Sequence, residues 1–146
     1  MDTTTQLSDK ENINVTFITS NKGQLLLVLN GYLYKCNKKT KNKKYWICVS
    51  NGCKIYVHTD LNNMYQCGGK SEHNHEPNPE MITVRQVRHN IKERALKEVI
   101  PIAMIYEQEI SKISTNPTSL AILPTSEELC MLLIFTILVK FIFLSF

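Results

Sequence analysis

The sequence predicts an α+β protein in which a small antiparallel β-sheet is followed by short α-helices. Three observations predict this class. Short runs rich in β-branched and aromatic residues recur about every ten residues in the first half of the chain. Turn signals containing Gly or Asn separate these runs, as in an antiparallel sheet. After residue 79 the apolar residues recur instead at the three- and four-residue spacing of helices.

Six segments have the residue pattern of short strands. The dipeptide Asn30-Gly31 separates two of them and favours a two-residue hairpin, because both residues tolerate a positive φ. Residues 37–44 are polar and contain five lysines, so we predict a loop there. The predicted strands are Val15–Ile18, Gln24–Leu29, Tyr32–Cys36, Tyr45–Val49, Lys54–Thr59 and Asn63–Cys67.

Two helices are predicted after the strands. Thr83 and Gln86 have the spacing of a capping box, so we expect the first helix to begin near Thr83. Pro101 is suited to open the second helix. We interpret the apolar stripe on each helix as core packing. The two stripes are Val84, Val87, Ile91, Ala95 and Val99, and then Ile102, Ile105, Tyr106, Ile110 and Ile113.

Composition and charge limit the functional class. The 146 residues are 43 % hydrophobic and 21 % charged, which fits one domain or slightly more and excludes a wholly disordered chain. The net charge of +4 is small, but residues 14–75 hold nine lysines against one Asp and one Glu. This concentration of positive charge predicts a polyanionic partner, nucleic acid before membrane.

The five cysteines are better explained as thiols or metal ligands than as disulfides. Residues 1–6 are polar and lack the basic and apolar regions of a secretory signal, so we expect an intracellular, reducing compartment and no secretion. The odd number of cysteines agrees with that expectation. They are Cys36, Cys48, Cys53, Cys67 and Cys130.

Two of these cysteines form a metal-binding pattern with two histidines. Cys48 and Cys53 are separated by a Ser-Asn-Gly turn that lets both thiolates converge, and His73 and His75 share one face of an extended segment. Two thiolates and two imidazoles complete a tetrahedral Zn²⁺ shell with no open position. We therefore predict one structural Zn²⁺ rather than a catalytic metal. The rival ligands that remain open are Cys36 and Cys67.

The segment that contains this pattern has further elements in a recognisable order. They are Phe17 and Gly23, Gly31-Tyr32-Leu33-Tyr34, Tyr45-Trp46-Ile47-Cys48, Cys53, and His73-Asn74-His75. Over residues 15–77 the chain resembles the FLYWCH zinc finger family. The resemblance implies a small antiparallel sheet similar to the WRKY and GCM domains, zinc held by the two Cys and two His at one end, and a DNA-binding role.

Five lysines between the third and fourth predicted strands are the candidate DNA contacts. Lysine contacts phosphates as a point charge and reads little sequence. We predict a non-catalytic, nuclear DNA-binding module, since no acidic catalytic triad of a nuclease or transposase can be placed in the rest of the chain. For the lysine segment, the alternatives are a solvated loop and binding to RNA or protein. For the whole module, the alternative is a zinc-folded protein-interaction module. The lysines are Lys38, Lys39, Lys41, Lys43 and Lys44.

The rest of the chain is interpreted as separate segments. Residues 80–129, including Leu123-Pro124-Thr125, loosely resemble the segment that comes after this finger in transposon-derived proteins. The apolar tail has three interpretations: a membrane anchor, a helix packed on the preceding helices, or the end of a truncated transposon-derived protein. The predicted organisation is a flexible leader (1–13), the finger (14–77), a two-helix segment (80–114), a connector (115–128) and the tail (129–146).

Overall fold

A computed structural model of the protein describes residues 13–113 and 117–144. The predicted leader therefore lies outside the described residues except for Ile13. The α+β prediction is confirmed, because a six-stranded antiparallel sheet precedes the helices. The chain forms two compact units. We call the one that contains Leu27–His75 the sheet unit; the other, the helical unit, contains Ile18–Leu26 and the chain from Glu76 onward.

All six predicted strands are present, and they lie in the sheet in the order in which they occur in the sequence. Asn30 and Gly31 have φ values of 51° and 79°, as the predicted hairpin between the second and third strands requires. The strands are β1 (Thr16–Thr19), β2 (Leu25–Leu29), β3 (Tyr32–Lys39), β4 (Lys43–Cys48), β5 (Tyr56–Asp60) and β6 (Tyr65–Gly68).

The predicted loop at residues 37–44 is wrong, because most of it is strand. β3 and β4 stay paired as far as Lys39 and Lys44, and the Thr40 amide donates to the Lys43 carbonyl oxygen at 2.8 Å. Only three residues, 40–42, connect the strands. The end of the hairpin is exposed on both faces, so its strands lack the apolar alternation by which a strand is recognised.

Trp46 is the centre of the sheet core. It is 1 % exposed, and its indole Nε1 donates a hydrogen bond of 2.9 Å to the Thr59 hydroxyl. The Phe17 ring packs against it with 5.6 Å between ring centroids. The other buried residues of this core are Leu27, Leu29, Tyr34, Cys48, Cys53 and Val57.

Within the described residues four helices follow the sheet, and the first begins earlier than the capping-box prediction placed it. The Asn78 side chain accepts a hydrogen bond of 2.9 Å from the Met81 amide, and proline occupies the first helical position. This cap overrides Thr83, which lies inside the helix with its hydroxyl on the Pro79 carbonyl oxygen. The helices are α1 (Pro79–Lys97), α2 (Ile102–Ser111), α3 (Pro117–Ile122) and α4 (Ser126–Leu144).

The predicted helical stripes form most of the second core. Val99 is the exception: it is fully exposed and follows the end of α1. Glu109 is buried in α2, which the pattern did not predict. The buried apolar residues of the helical unit are Val84, Val87, Ile91, Ile105, Leu123, Leu129 and Leu133.

The apolar tail forms most of α4. Leu129 and Leu133 are buried in the helical core, in keeping with the packed-helix interpretation for this side of the helix. Met131 and Phe135 are 71 % and 69 % exposed, so a second side of α4 faces outward. Within the described residues, no helix has the length and apolarity needed to cross a membrane.

Candidate metal centre

Cys48 and Cys53 approach each other through a tight turn. Cys48 ends β4, and the Cys53 amide donates to the Ser50 carbonyl oxygen at 3.2 Å. Gly52 has a φ of 77°, a backbone conformation that glycine adopts without steric cost. Both thiols are buried, so the turn aims two sulfur ligands at one protected point.

His73 and His75 complete the cluster. His73 Nδ1 lies 3.2 Å from Cys53 Sγ, and His75 Nε2 lies 3.2 Å from Cys48 Sγ. All four ligand atoms lie within 4.8 Å of one another. A tetrahedral Zn²⁺ with ordinary bond lengths places S and N ligands about 3.5 Å apart, so these distances fit zinc. The four residues are positioned to form a metal site, and each histidine offers a different ring nitrogen.

Two tyrosines of β3 fix the orientation of His73. The Tyr34 hydroxyl lies 2.9 Å from His73 Nε2. When Nδ1 faces the metal, Nε2 carries the proton and donates it to the Tyr34 oxygen. The Tyr32 ring stacks on the imidazole with 3.6 Å between centroids and 5° between planes. Neither tyrosine is predicted as a site residue from the sequence, although alternate positions of one strand share a face.

Burial shifts the pKa values of Cys48, His73 and Tyr34. Burial raises the pKa of the Cys48 thiol, with Cys53 as a further cause, so a bound metal must displace the thiol proton. Burial, followed by the neighbouring His75, lowers the pKa of His73 and favours the neutral imidazole that binds metal. Burial also raises the pKa of Tyr34, so its hydroxyl stays protonated beside the imidazole.

The two rival cysteines lie elsewhere. Cys36 is half-buried, and its sulfur contacts the Lys38 carbonyl oxygen at 3.9 Å. Cys67 is exposed, with its Sγ 3.4 Å from His58 Nδ1. Neither belongs to the four-residue cluster.

The predicted lysine contacts are on the hairpin formed by β3 and β4, which we call the lysine hairpin (residues 35–45). Both strands are inside the sheet order, so the lysines extend from a sheet end rather than from an edge strand. Lys44 differs from the others, because it is half-buried and its Nζ donates to Asn63 Oδ1 at 2.7 Å. The exposed members of the predicted set are Lys38, Lys39, Lys41 and Lys43.

Comparison with known proteins supports the geometry. A comparison with protein-family models matches residues 17–75 to the FLYWCH zinc finger domain. Comparisons with curated proteins and with solved structures found no match. The cluster of two Cys and two His is consistent with one structural Zn²⁺. The family match and the converging side chains agree with the resemblance seen in the sequence, and residues 17–75 are similar to the FLYWCH zinc finger domain.

Proposed function

We propose that this chain is a non-catalytic, nuclear DNA-binding module whose lysine hairpin contacts the phosphate backbone. The zinc site has four protein ligands and leaves no position for substrate, so its role is to hold the sheet in shape. Binding by lysine point charges along one hairpin positions the protein on the duplex with little sequence readout.

The exposed charge of the hairpin is the observation that carries this proposal. Four of the five lysines predicted to contact DNA are exposed. The fifth, Lys44, is half-buried and donates a hydrogen bond to the Asn63 side chain. Asp60 is paired in register with Lys43, but its carboxylate accepts a hydrogen bond of 2.8 Å from the Met64 amide. Strand pairing fixes the backbone positions of Lys38, Lys39 and Lys43, which reduces the entropy lost when these lysines meet phosphates.

Salt dependence gives the first test. Four phosphate contacts release about four counterions, so the logarithm of affinity falls against the logarithm of salt with a slope of about −3 to −4. For the zinc-loaded full chain on a random-sequence duplex, fluorescence anisotropy between about 50 and 200 mM salt should show roughly a 100-fold loss. Binding that is insensitive to salt contradicts the proposal.

A matched pair of double variants locates the interface. Lys39→Gln with Lys41→Gln removes two exposed hairpin cations and should reduce the salt slope by about two. Lys22→Gln with Lys70→Gln removes the same charge from exposed positions outside the hairpin and should leave most of the slope unchanged. Equal losses in both variants would show attraction to net charge rather than to the hairpin.

Protein binding is the second candidate function, and α4 favours it. Its outward side presents apolar residues at alternating four- and three-residue steps, the spacing of a helix–helix seam. Apolar association keeps its strength between about 50 and 200 mM salt, so the same titration separates the two functions. The exposed residues at these steps are Met131, Phe135, Leu138 and Ile142.

A further inference from the structure

A row of four side chains crosses the sheet on the face opposite the Trp46 core. Strand register pairs Lys38 with Tyr45, Tyr45 with His58, and His58 with Cys67. Directly opposed residues point to the same face, so a cation, a phenol ring, an imidazole and a thiol stand side by side across four strands.

The thiol and the imidazole of this row are in contact. Cys67 Sγ lies 3.4 Å from His58 Nδ1, and Cys67 is exposed. On its other side the His58 ring meets Tyr45 edge-on, with 4.6 Å between ring centroids. The tyrosine therefore limits the rotation of the imidazole and keeps Nδ1 beside the sulfur. A base held within reach of an exposed nucleophile is the arrangement that activates thiols.

We propose that Cys67 is a site of reversible modification by small anionic disulfides, with His58 as its base. Lys38 determines the preference for anions. It lies about 14 Å from Cys67 across three strand spacings, a distance that an extended tripeptide and a lysine side chain bridge together. A disulfide of glutathione type, which carries carboxylates and a scissile S–S bond, has the matching chemistry.

The reaction is a thiol–disulfide exchange. His58 Nδ1, unprotonated when the ring carries its proton on Nε2, takes the Cys67 thiol proton as the sulfur attacks one sulfur of the disulfide. An S–S bond forms to Cys67, the original S–S bond breaks, and the departing thiolate takes a proton from His58 or water. Cys67 is oxidised, the small disulfide is reduced to one thiol, and no further oxidant is needed.

The test follows the modification of each cysteine in the zinc-loaded full chain. With oxidised glutathione, peptide mass spectrometry should find Cys67 modified before Cys36 and Cys130, the other two cysteines outside the metal cluster. His58→Phe and His58→Gln remove the base and should each slow the reaction about tenfold. His89→Phe on α1 removes a histidine outside the row and should leave the rate unchanged.

A second disulfide reagent, which carries no charge, distinguishes the role of His58 as the base from the role of Lys38 in the preference for anions. Lys38→Gln should slow the reaction with oxidised glutathione and leave that with uncharged 2-hydroxyethyl disulfide unchanged. Faster modification of Cys36 or Cys130, or an unchanged Cys67 rate in both His58 variants, overturns the proposal. Equal effects of Lys38→Gln on both reagents overturn the preference for anions. Zinc content checks that each variant is folded. If His58→Phe fails that check, the rate of His58→Gln alone tests the role of His58 as the base.

Discussion

The two cores of this protein contain different kinds of buried polar group. In the sheet unit, two thiols and two imidazoles converge at one end of an aromatic core. In the helical unit, the buried carboxylate of Glu109 accepts hydrogen bonds from donors on α1 and at the C-terminal end of α2. Its partners are Lys112 Nζ at 2.5 Å, Arg94 Nη1 at 3.0 Å and Asn90 Nδ2 at 3.3 Å.

The two units provide partners for their buried polar groups from different sources. We expect the sheet unit to need a Zn²⁺ ion to hold its four ligands together, so its stability should depend on zinc concentration. The helical unit satisfies its carboxylate with side chains of its own chain, so its stability depends on the protonation state of Glu109. The two units should therefore respond to different reagents.

Removing zinc should produce the largest effect. Apparent zinc-binding energies of small fingers are about 10–16 kcal/mol, more than a core of this size supplies alone. We expect a chelator, or Cys48→Ser, to abolish amide exchange protection in Leu27–His75 while α1 and α2 keep theirs. Hydrogen exchange of the full chain measures both units at once.

Cys36→Ser is the matched control for this experiment. It removes a sulfur from the same sheet but from outside the metal cluster, so zinc binding should persist. Retained protection of the sheet after chelation would show that the aromatic core around Trp46 is sufficient without metal. It would also remove the contrast between the two units.

Local patterns predicted more of the sheet unit than of the helical unit. The Asn30-Gly31 turn and the alternation around Trp46 depend on neighbouring residues, so the strands could be found from the sequence. The spacing of Cys48, Cys53 and the two histidines predicted the residues that the structure brings together. Their spacing carries this information because a tetrahedral ion accepts few backbone arrangements.

Contacts between residues far apart in the chain could not be predicted from the sequence. The hydroxyl of Tyr34 meets His73 across 39 residues, and Glu109 meets Arg94 across a helix connection. No local period marks such pairs. The lysine-rich strands at the end of the hairpin were also missed, because pairing to a neighbour rather than apolar burial keeps them extended.

Glu109→Gln should have the second-largest effect and should be confined to the helical unit. The amide keeps the shape of the carboxylate but weakens the hydrogen bonds from Lys112 and Arg94. Losing charge at a buried, multiply bonded group costs about 2–3 kcal/mol. Exchange protection of α1 and α2 measures the loss. Glu107→Gln is the control, because Glu107 is an exposed acid on the same helix.

The pH dependence of Glu109 sharpens this prediction. Burial raises its pKa, but the hydrogen bonds from Lys112, Arg94 and Asn90 outweigh burial and lower the pKa below the ordinary 4.5. Stability from a lowered carboxyl pKa is complete above the unfolded value and is lost as pH falls through the folded value. The protection of α1 and α2 should therefore fall below about pH 4.5 in the native chain and less steeply in Glu109→Gln. Identical pH profiles would contradict the assigned role of Glu109.

Tyr34→Phe should have the smallest effect. It tests whether a hydrogen bond to a metal-ligating histidine contributes to zinc binding in the sheet unit. The ring still fills its buried position, so the fold should persist, but His73 Nε2 loses its acceptor at 2.9 Å. Losing such a partner weakens metal binding by about tenfold. Competition with a chelator measures the zinc affinity, and Tyr45→Phe, on the opposite face, is the control. Equal affinities in both variants would mean that stacking on Tyr32 alone orients His73, and that the hydroxyl contributes nothing to the site.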